Sequence, residues 1–307
     1  WPAASAAGQP YLVPAPARTR RHVRQLEGCC AFLSSFPERN TVIVVTACAV
    51  LGLIFGSFAN VPIHRWPLGR SVSEPKRSAC PFCDAPIRPR DNVPVVSWLL
   101  LGRQCRECQE PIHWRYPLVE AVTALLFGIV AASEGATLLL PALLALTWSL
   151  VVVTAIDIEH RIIPNRLTYR LPFVLLVLLA PPSIWGPGSL LALRRGVMAA
   201  VLVPLGLFLL GESYRLLRGR AGFGMGDVKL LISLGLVAGY LGGFEVAVLL
   251  YGAMLSAVCM AVTLLATGRV KLASRIPFGP YLAAGMLLAI VGGRALRTPV
   301  LSLLGLA

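Results

Sequence analysis

The feature that most constrains the fold of this chain is a series of long apolar runs separated by short basic segments. Eight runs approach the length of about 20 residues that a helix needs to cross a bilayer. They cover residues 42–61, 117–134, 137–156, 168–186, 196–212, 228–243, 244–266 and 278–296. With 56% hydrophobic and 14% charged residues, the chain is far more apolar than a water-soluble domain of 307 residues. The pattern predicts an all-α polytopic membrane protein with about eight transmembrane helices.

The same pattern divides the chain into four segments. Residues 1–40 are rich in proline and alanine and are expected to form a disordered tail. Residues 41–61 form the first transmembrane helix, residues 62–116 a polar loop domain, and residues 117–307 the remaining helices. Between 228 and 266 the glycines Gly239, Gly242 and Gly243 are compatible with a turn between two helices or with a weak point in one long helix.

The net charge of +14 is interpreted through membrane topology rather than nucleic-acid binding. Nine lysines and arginines lie in residues 62–116, and three more lie in each of 157–170, 213–220 and 269–275. The alternate loops hold only Arg194, Arg195 and Arg297. The positive-inside rule therefore places the large loop in the cytoplasm. Five arginines in residues 18–39 oppose this assignment, because the same count puts the tail outside.

Two cysteine pairs in the large loop have the spacing of a metal site. Cys80 and Cys83 form one C-x2-C pair, Cys105 and Cys108 form another, and 21 residues separate the pairs. Four thiolates can complete a tetrahedral site, so we expect a closed structural zinc. A disulfide is the alternative, but it is less compatible with a reducing cytoplasm. Four thiolates leave nearby His113 no role as a ligand.

Two aspartates, Asp157 and Asp227, lie where apolar runs meet polar loops on the same predicted side. Acidic residues at membrane depth are costly and are usually functional. Asp227 follows alternating glycines at 222, 224 and 226, which allow an extended peptide to approach closely. A carboxylate pair can activate water and protonate a leaving group, so these residues suggest hydrolysis. No serine–histidine or H-E-x-x-H pattern offers a competing mechanism.

Each aspartate taken alone has a structural alternative. Asp227 can cap a helix that begins at Val228, and Asp157 can pair with Arg161 four residues later. The glycines can instead cradle phosphate, although no G-K-[ST] follows and the acid would repel the anion. Glu159 is the best substitute if Asp157 has no catalytic role.

The segments around the aspartates and the cysteines resemble those of the type IV prepilin peptidases, and the resemblance covers about residues 52–285. The matching segments are Gly56-Ser-Phe-Ala-Asn60 with His64-Arg65, Asp91-Asn-Val-Pro94, Ser97-Trp98, Arg115-Tyr-Pro-Leu-Val-Glu120, Ala155-Ile-Asp157, Gly224-Met-Gly-Asp227 with Lys229, and Ile276-Pro-Phe-Gly-Pro280. The G-x-G-D element alone also resembles presenilin-type intramembrane proteases.

The resemblance implies that Asp157 and Asp227 are catalytic, with Gly224, Gly226 and Lys229 in supporting positions. It implies cleavage of a short basic leader from pilins or secretion pseudopilins after a glycine, at the cytoplasmic face of a bacterial inner membrane. It also implies methylation of the new N-terminus by S-adenosylmethionine, and zinc on the four cysteines. Partners are then the prepilin and the lipid bilayer, with no nucleic acid.

One departure from the family pattern is Pro164-Asn165, where many relatives have Pro-Asp. The methyl-donor residues cannot be assigned, because no donor-binding glycine motif is visible. Two other functional classes remain open. One is a presenilin-like peptidase without methyl transfer, and the other is a non-enzymatic transporter or scaffold.

Overall fold

A computed structural model describes residues 38–73, 79–186, 189–219, 224–267 and 277–303. The chain divides into residues 1–42 and a compact unit of residues 43–307. The predicted disordered tail falls almost wholly outside the described residues. Nearly all of the described residues belong to the second unit.

The described residues fold into helices joined by short connections and one larger loop. In chain order the helices are α1 (Glu38–Arg65), α2 (Val96–Leu100), α3 (Arg115–Glu134), α4 (Leu140–His160), α5 (Asn165–Ile184), α6 (Leu190–Arg218), α7 (Met225–Leu241), α8 (Gly243–Ala266) and α9 (Gly279–Leu303). Apart from α2, each coincides with one of the eight predicted spans. Six of them are long and apolar enough to cross a membrane, while α7 and the apolar part of α9 are shorter. The all-α polytopic prediction is confirmed.

The glycines near residue 242 separate two helices. Gly242 has φ 157°, a conformation that side chains rarely adopt, and it lies between the last residue of α7 and the first residue of α8. Of the two alternatives left open by the sequence, the turn between two helices is therefore the one that the structure adopts.

The core of the bundle is built around α4 and α7. Leu143, Leu146 and Leu150 of α4 are buried, and this helix packs against α3, α5 and α9. Helix α7 buries Leu230 and Leu234 against α5, α6, α8 and α9. These two helices are apolar on nearly all sides, as expected of buried helices. By contrast, α6 and α8 expose most of their apolar side chains, which suits helices that face lipid.

Close backbone contact joins α1 to α3. A methyl group added at Gly52 would lie 2.6 Å from the Cα of Ala124, and one added at Gly56 would lie 2.7 Å from the Cα of Glu120. The two glycines are four residues apart and occupy one face of α1. Such small-residue pairs let transmembrane helices approach closely. This contact sets the position of α3 beside the large loop.

Both boundaries of the large loop differ from those expected. Helix α1 continues through Pro62 to Arg65 rather than ending at residue 61. The loop domain is therefore confined to residues 66–114. Since consecutive helices run antiparallel, this loop, the end of α4 and the starts of α5, α7 and α9 all lie at one end of the bundle. Arg166 of α5 confirms this, because its Nη1 donates to the carbonyl of Arg70 over 2.8 Å.

Candidate active site and metal centre

Asp157 lies in the last turn of α4, at the end of the most buried helix. Its side chain is buried, with 5% of its surface exposed. Its Oδ2 accepts a hydrogen bond of 2.9 Å from the backbone N–H of Gly279, which is the first residue of α9. The helix ends three residues later, where Arg161 adopts a left-handed conformation and donates its N–H to the carbonyl of Asp157. The described residues contain no ion pair between Asp157 and Arg161, so the alternative of an intrahelical pair is wrong.

Asp227 lies in the first turn of α7 and is not the residue that caps it. The helix begins at Met225, three residues earlier in the chain than Val228, and Gly224 is the N-cap. The Asp227 carboxylate accepts the backbone N–H of Gly224, an arrangement that resembles half of a capping box. A methyl group at Gly224 would lie 2.9 Å from Oδ2 of Asp227. Because Gly224 has no side chain, the Asp227 carboxylate can approach the backbone N–H of this residue.

The structure brings the two aspartates to one end of the bundle. Helix α4 ends there and α7 begins there, and the charge of Asp157 acts on the carboxyl group of Asp227. Ile163, which follows α4, packs against Gly226, where an added methyl group would lie 3.0 Å from the Cβ of Ile163. The described part of the chain contains no salt bridge to either aspartate. The site thus combines a buried acid, Asp157, with a half-buried one, Asp227, and neither is paired with a cation of the described residues.

The other expected supporting residue, Lys229, contacts neither aspartate. Its Nζ donates to Oδ1 of Asn165 over 2.9 Å and lies 4.9 Å from the centre of the Tyr169 ring. Lys229 therefore ties the start of α7 to the start of α5. The asparagine that departs from the family pattern accepts this hydrogen bond without contributing a negative charge.

The four loop cysteines converge at a second site. Their sulfur atoms all lie within 4.8 Å of one another, so the group can hold a metal ion. The Sγ atoms of Cys80 and Cys108 are 3.8 Å apart, close to the separation of about 3.8 Å for two thiolates at 2.3 Å from a tetrahedral zinc. A disulfide bond would require about 2.05 Å, and the described cysteines are free. The donor set and spacing fit zinc.

The two cysteine pairs have the same local backbone geometry. The N–H of Cys80 donates to the carbonyl of Ala85, and the N–H of Cys105 donates to the carbonyl of Glu110, five residues on in each case. The residue after each pair, Asp84 or Gln109, has positive φ. The N–H groups of Cys108 and Glu107 lower the pKa of the Cys105 thiol to about 7, because they stabilise its thiolate. Each pair thus forms a turn that presents sulfur atoms to one point.

An ion pair within the loop supports the second turn. Arg106 donates through Nε and Nη2 to both carboxylate oxygens of Asp91, over 2.9 and 2.6 Å. These hydrogen bonds hold the pKa of Asp91 below its usual value. His113 is exposed, and its Nδ1 accepts the backbone N–H of Arg115.

Sequence reasoning missed the role of Gly279. The segment Ile276–Pro280 was part of the family resemblance, but nothing assigned a function to it. A methyl group at Gly279 would lie 2.8 Å from Oδ2 of Asp157, so only glycine allows this backbone amide to approach the carboxylate. A glycine followed by proline at the start of an apolar run was the one available signal. Gly222 and Phe223 lie outside the described residues.

Comparison with known proteins yields two matching family profiles. The Bacterial Peptidase A24 N-terminal domain matches residues 50–133, and the Type IV leader peptidase family matches residues 144–265. The first match includes the cysteine loop, and the second includes both aspartates. No solved structure matches the chain.

Curated relatives cover most of the chain and are named "Prepilin leader peptidase/N-methyltransferase". The relative from Pseudomonas aeruginosa is 36% identical over 293 residues, which are 87% of this chain and 96% of the relative. The relative from Aeromonas hydrophila is 35% identical over 80% of this chain and 89% of its own length. The relative from Burkholderia pseudomallei strain 1026b is 33% identical, with coverage of 89% and 92%.

Proposed function

The chain belongs to the type IV leader peptidase family, and we propose that Asp157 and Asp227 are the carboxylate pair with which it cleaves prepilins. The observation that carries the proposal is that these two acids lie at one end of the bundle and that neither has a cationic partner in the part of the chain that the structure describes. Among the described residues, Asp157 is the charged group that acts on Asp227. That arrangement suits acid–base chemistry better than structural charge pairing.

The pair can supply both proton transfers of peptide hydrolysis. Neighbouring carboxylates share a proton, so one is a base while the other is an acid. The base removes a proton from water as the water oxygen attacks the carbonyl carbon. The acid donates its proton to the departing nitrogen as the C–N bond breaks, leaving a free carboxyl group and a free amine. Gly279 holds the Asp157 carboxylate in position through its amide.

The substrate is the N-terminal region of a prepilin or a secretion pseudopilin. The relatives' names identify prepilin as their substrate, and the proposed cleavage site is the glycine at the end of a short basic leader. An apolar pilin helix can lie in the bilayer beside the lipid-facing helices, with the leader emerging at the end that carries the aspartates. We place that end in the cytoplasm, because it carries the arginine-rich loops.

Zinc on Cys80, Cys83, Cys105 and Cys108 would be structural. Four thiolates saturate the tetrahedral ion and leave no open position for water. The described residues of the loop, 66–73 and 79–114, bury few side chains, so the metal would supply much of the loop's folding free energy.

Metal analysis tests the zinc assignment. The purified chain is expected to hold about one zinc ion, and a Cys80→Ser/Cys105→Ser double variant is expected to hold none. A Cys48→Ser variant is the control, because Cys48 lies in α1 outside the cluster. Wild-type protein without zinc, or unchanged zinc in the double variant, would overturn the assignment.

The same family name implies N-methylation of the new N-terminus. S-adenosylmethionine supplies an electrophilic methyl group, and the free amine released by cleavage is the acceptor. Both activities would therefore use the same end of the molecule in sequence, with cleavage first.

Mass spectrometry of a processed pilin tests the proposal directly. Purified enzyme, prepilin and S-adenosylmethionine are expected to yield a pilin that lacks its leader and carries one added methyl group. Cleavage without the methyl group would support the presenilin-like alternative. An intact prepilin, from an enzyme preparation shown to be folded, would contradict peptidase function and favour a transporter or scaffold.

A further inference from the structure

A cavity of about 650 Å³ lies between the cysteine loop and the membrane helices. Its lining includes Asn60 of α1, Trp98 of the loop, Arg115 and Glu120 of α3, and Glu159 of α4. Its volume is within the range of about 300–1,000 Å³ that is typical of small-molecule sites. Three segments of the family resemblance, around residues 56–65, 91–98 and 115–120, converge at this cavity.

Two buried polar atoms at this cavity have no partner within the described residues. Asn60 is 6% exposed, and its Nδ2 donates to the carbonyls of Gly56 and Tyr116. These two acceptors orient the amide, so its Oδ1 is left without a donor. The Nε of Arg115 is likewise unpaired, although its Nη1 is bonded to Glu159. Unpaired buried polar atoms are costly, and a polar ligand in this cavity would satisfy both of them.

Glu120 adds a buried carboxylate to the same cavity. It is 8% exposed, and its Oε2 accepts the N–H of Val95 over 2.7 Å. Among the described residues it forms no salt bridge. A buried carboxylate with only neutral donors favours a cationic ligand, because the ligand's charge offsets the cost of desolvation.

We propose that this cavity binds the methyl donor, S-adenosylmethionine. The inference rests on the proposed N-methyltransferase function and adds the residues that nothing yet assigns to it. The donor carries a sulfonium and an ammonium group, which complement Glu120 and the Oδ1 of Asn60. It also carries a carboxylate that suits the Nε of Arg115. Its adenine is a flat ring that can stack on an aromatic side chain such as Trp98.

The location of the cavity fits the order of the two reactions. Glu159 lines it and lies two residues after Asp157 on α4, so about 3 Å along the helix axis separates them. The amine released at the aspartates therefore has a short path around the end of α4 to the cavity. In the transfer, the lone pair of the neutral amine forms an N–C bond, the S–C bonding pair stays on sulfur as a thioether, and the proton lost by nitrogen goes to water.

Binding of tritiated S-adenosylmethionine, measured by equilibrium dialysis without pilin, tests the site. The full-length zinc-loaded protein in detergent is expected to bind it. Asn60→Leu and Glu120→Gln each remove one polar interaction and are expected to weaken binding tenfold or more. Thr123→Val is the matched control. Thr123 is buried one turn beyond Glu120 on α3, bonds only the carbonyl of Val119, and does not line the cavity.

Leader cleavage measured on the same preparations separates failure of this inference from failure of the proposed function. If both cavity variants bind the donor as well as wild type does, the cavity is not the donor site, while methylation by wild type still stands. If wild type cleaves but neither binds the donor nor methylates, the methyltransferase function itself fails and the inference falls with it.

Cross-linking keeps the test decisive if the variants do not fold. Ultraviolet irradiation of wild-type protein with the tritiated donor is expected to label peptides that contain Trp98 or Tyr116. Excess unlabelled S-adenosylhomocysteine is expected to abolish the labelling. Label confined to peptides that do not line the cavity would overturn the assignment.

Discussion

Buried carboxylates at the two ends of the bundle are held in different ways. At one end, the Asp157 carboxylate accepts a neutral backbone amide of Gly279 over 2.9 Å. At the other end, both oxygens of Glu245, which is 2% exposed, accept hydrogen bonds of 2.8 Å from Nη2 of Arg297. Both acids are buried between helices, yet of the two only Glu245 is paired with a cation of the described residues.

The presence or absence of a cationic partner distinguishes an acid that joins helices from acids that are available for proton transfer. Glu245 connects the start of α8 to α9, and its charge is neutralised where it lies. Asp157 and Asp227 lie at the same end of the bundle, and neither is paired with a cation of the described segments, which is an arrangement that disfavours two charged carboxylates and favours a shared proton. Glu120 forms no salt bridge within the described residues either, and it lines the cavity that we assign to a cationic ligand.

The largest expected effect follows from removing either member of the pair. Asp157→Asn and Asp227→Asn are each expected to reduce leader cleavage by roughly a thousandfold, because each removes one acid–base group. The Asp157→Asn/Asp227→Asn double variant is expected to be no slower than either single variant, since the two groups act as a unit. Initial rates on purified prepilin measure this. Substantial cleavage by either single variant would show that the two acids do not form a pair.

A smaller loss is expected when the amide that holds Asp157 is displaced. In Gly279→Ala, the added methyl group would lie 2.8 Å from Oδ2 of Asp157 and would push the carboxylate from its position. Misplacement of a catalytic group by about 1 Å can cost roughly a hundredfold in rate.

Gly206→Ala is the control for this substitution, because an added methyl group there meets no atom within 4 Å. Cleavage by the Gly279→Ala variant is expected to fall while that by the control does not change. Equal cleavage rates for the two variants would show that Gly279 does not position the Asp157 carboxylate.

Glu245 is expected to affect stability rather than catalysis. Glu245→Gln leaves Arg297 without its carboxylate and is expected to reduce the free energy of unfolding by about 1–3 kcal/mol. The measurement is the melting temperature in detergent. Replacing both partners, Glu245→Gln with Arg297→Gln, is expected to restore part of the loss. An unchanged melting temperature in the single variant would mean that the ion pair does not join the helices.

The smallest effect is expected at the departure from the family pattern. Asn165→Asp would turn the exposed hydrogen bond to Lys229 into an ion pair worth at most about 1 kcal/mol. Cleavage should stay within twofold of wild type, because Lys229 contacts neither aspartate. A loss above tenfold would indicate that a charge at this position acts on the catalytic pair.

The sequence predicted the helices and both acids because those signals are local. An apolar run of about 20 residues and an aspartate at its end can be recognised without knowing what packs nearby. The C-x2-C spacing is equally local, and the structure brings its four sulfur atoms together. The start of α7 was misplaced because glycine and methionine at residues 224–226 carry no strong helix-start signal.

The sequence alone could not predict contacts between residues that are far apart in the chain. Gly279 is 122 residues from Asp157, and Arg297 is 52 residues from Glu245. Both pairs form only after helices that are separate in the chain have packed together. The cavity is a similar case, because α1, the loop, α3 and α4 must meet before Asn60 and Glu120 share a surface.

The most direct test compares Asp157→Asn with Glu245→Gln in one experiment that records both the cleavage rate and the melting temperature. We expect Asp157→Asn to lose cleavage with a melting temperature close to that of wild type. We expect Glu245→Gln to melt several degrees lower while cleaving within a few-fold of wild type, when assayed well below its melting temperature. Cleavage retained in Asp157→Asn, or cleavage lost in a folded Glu245→Gln, would contradict the assignment of chemistry to the acids without a cation.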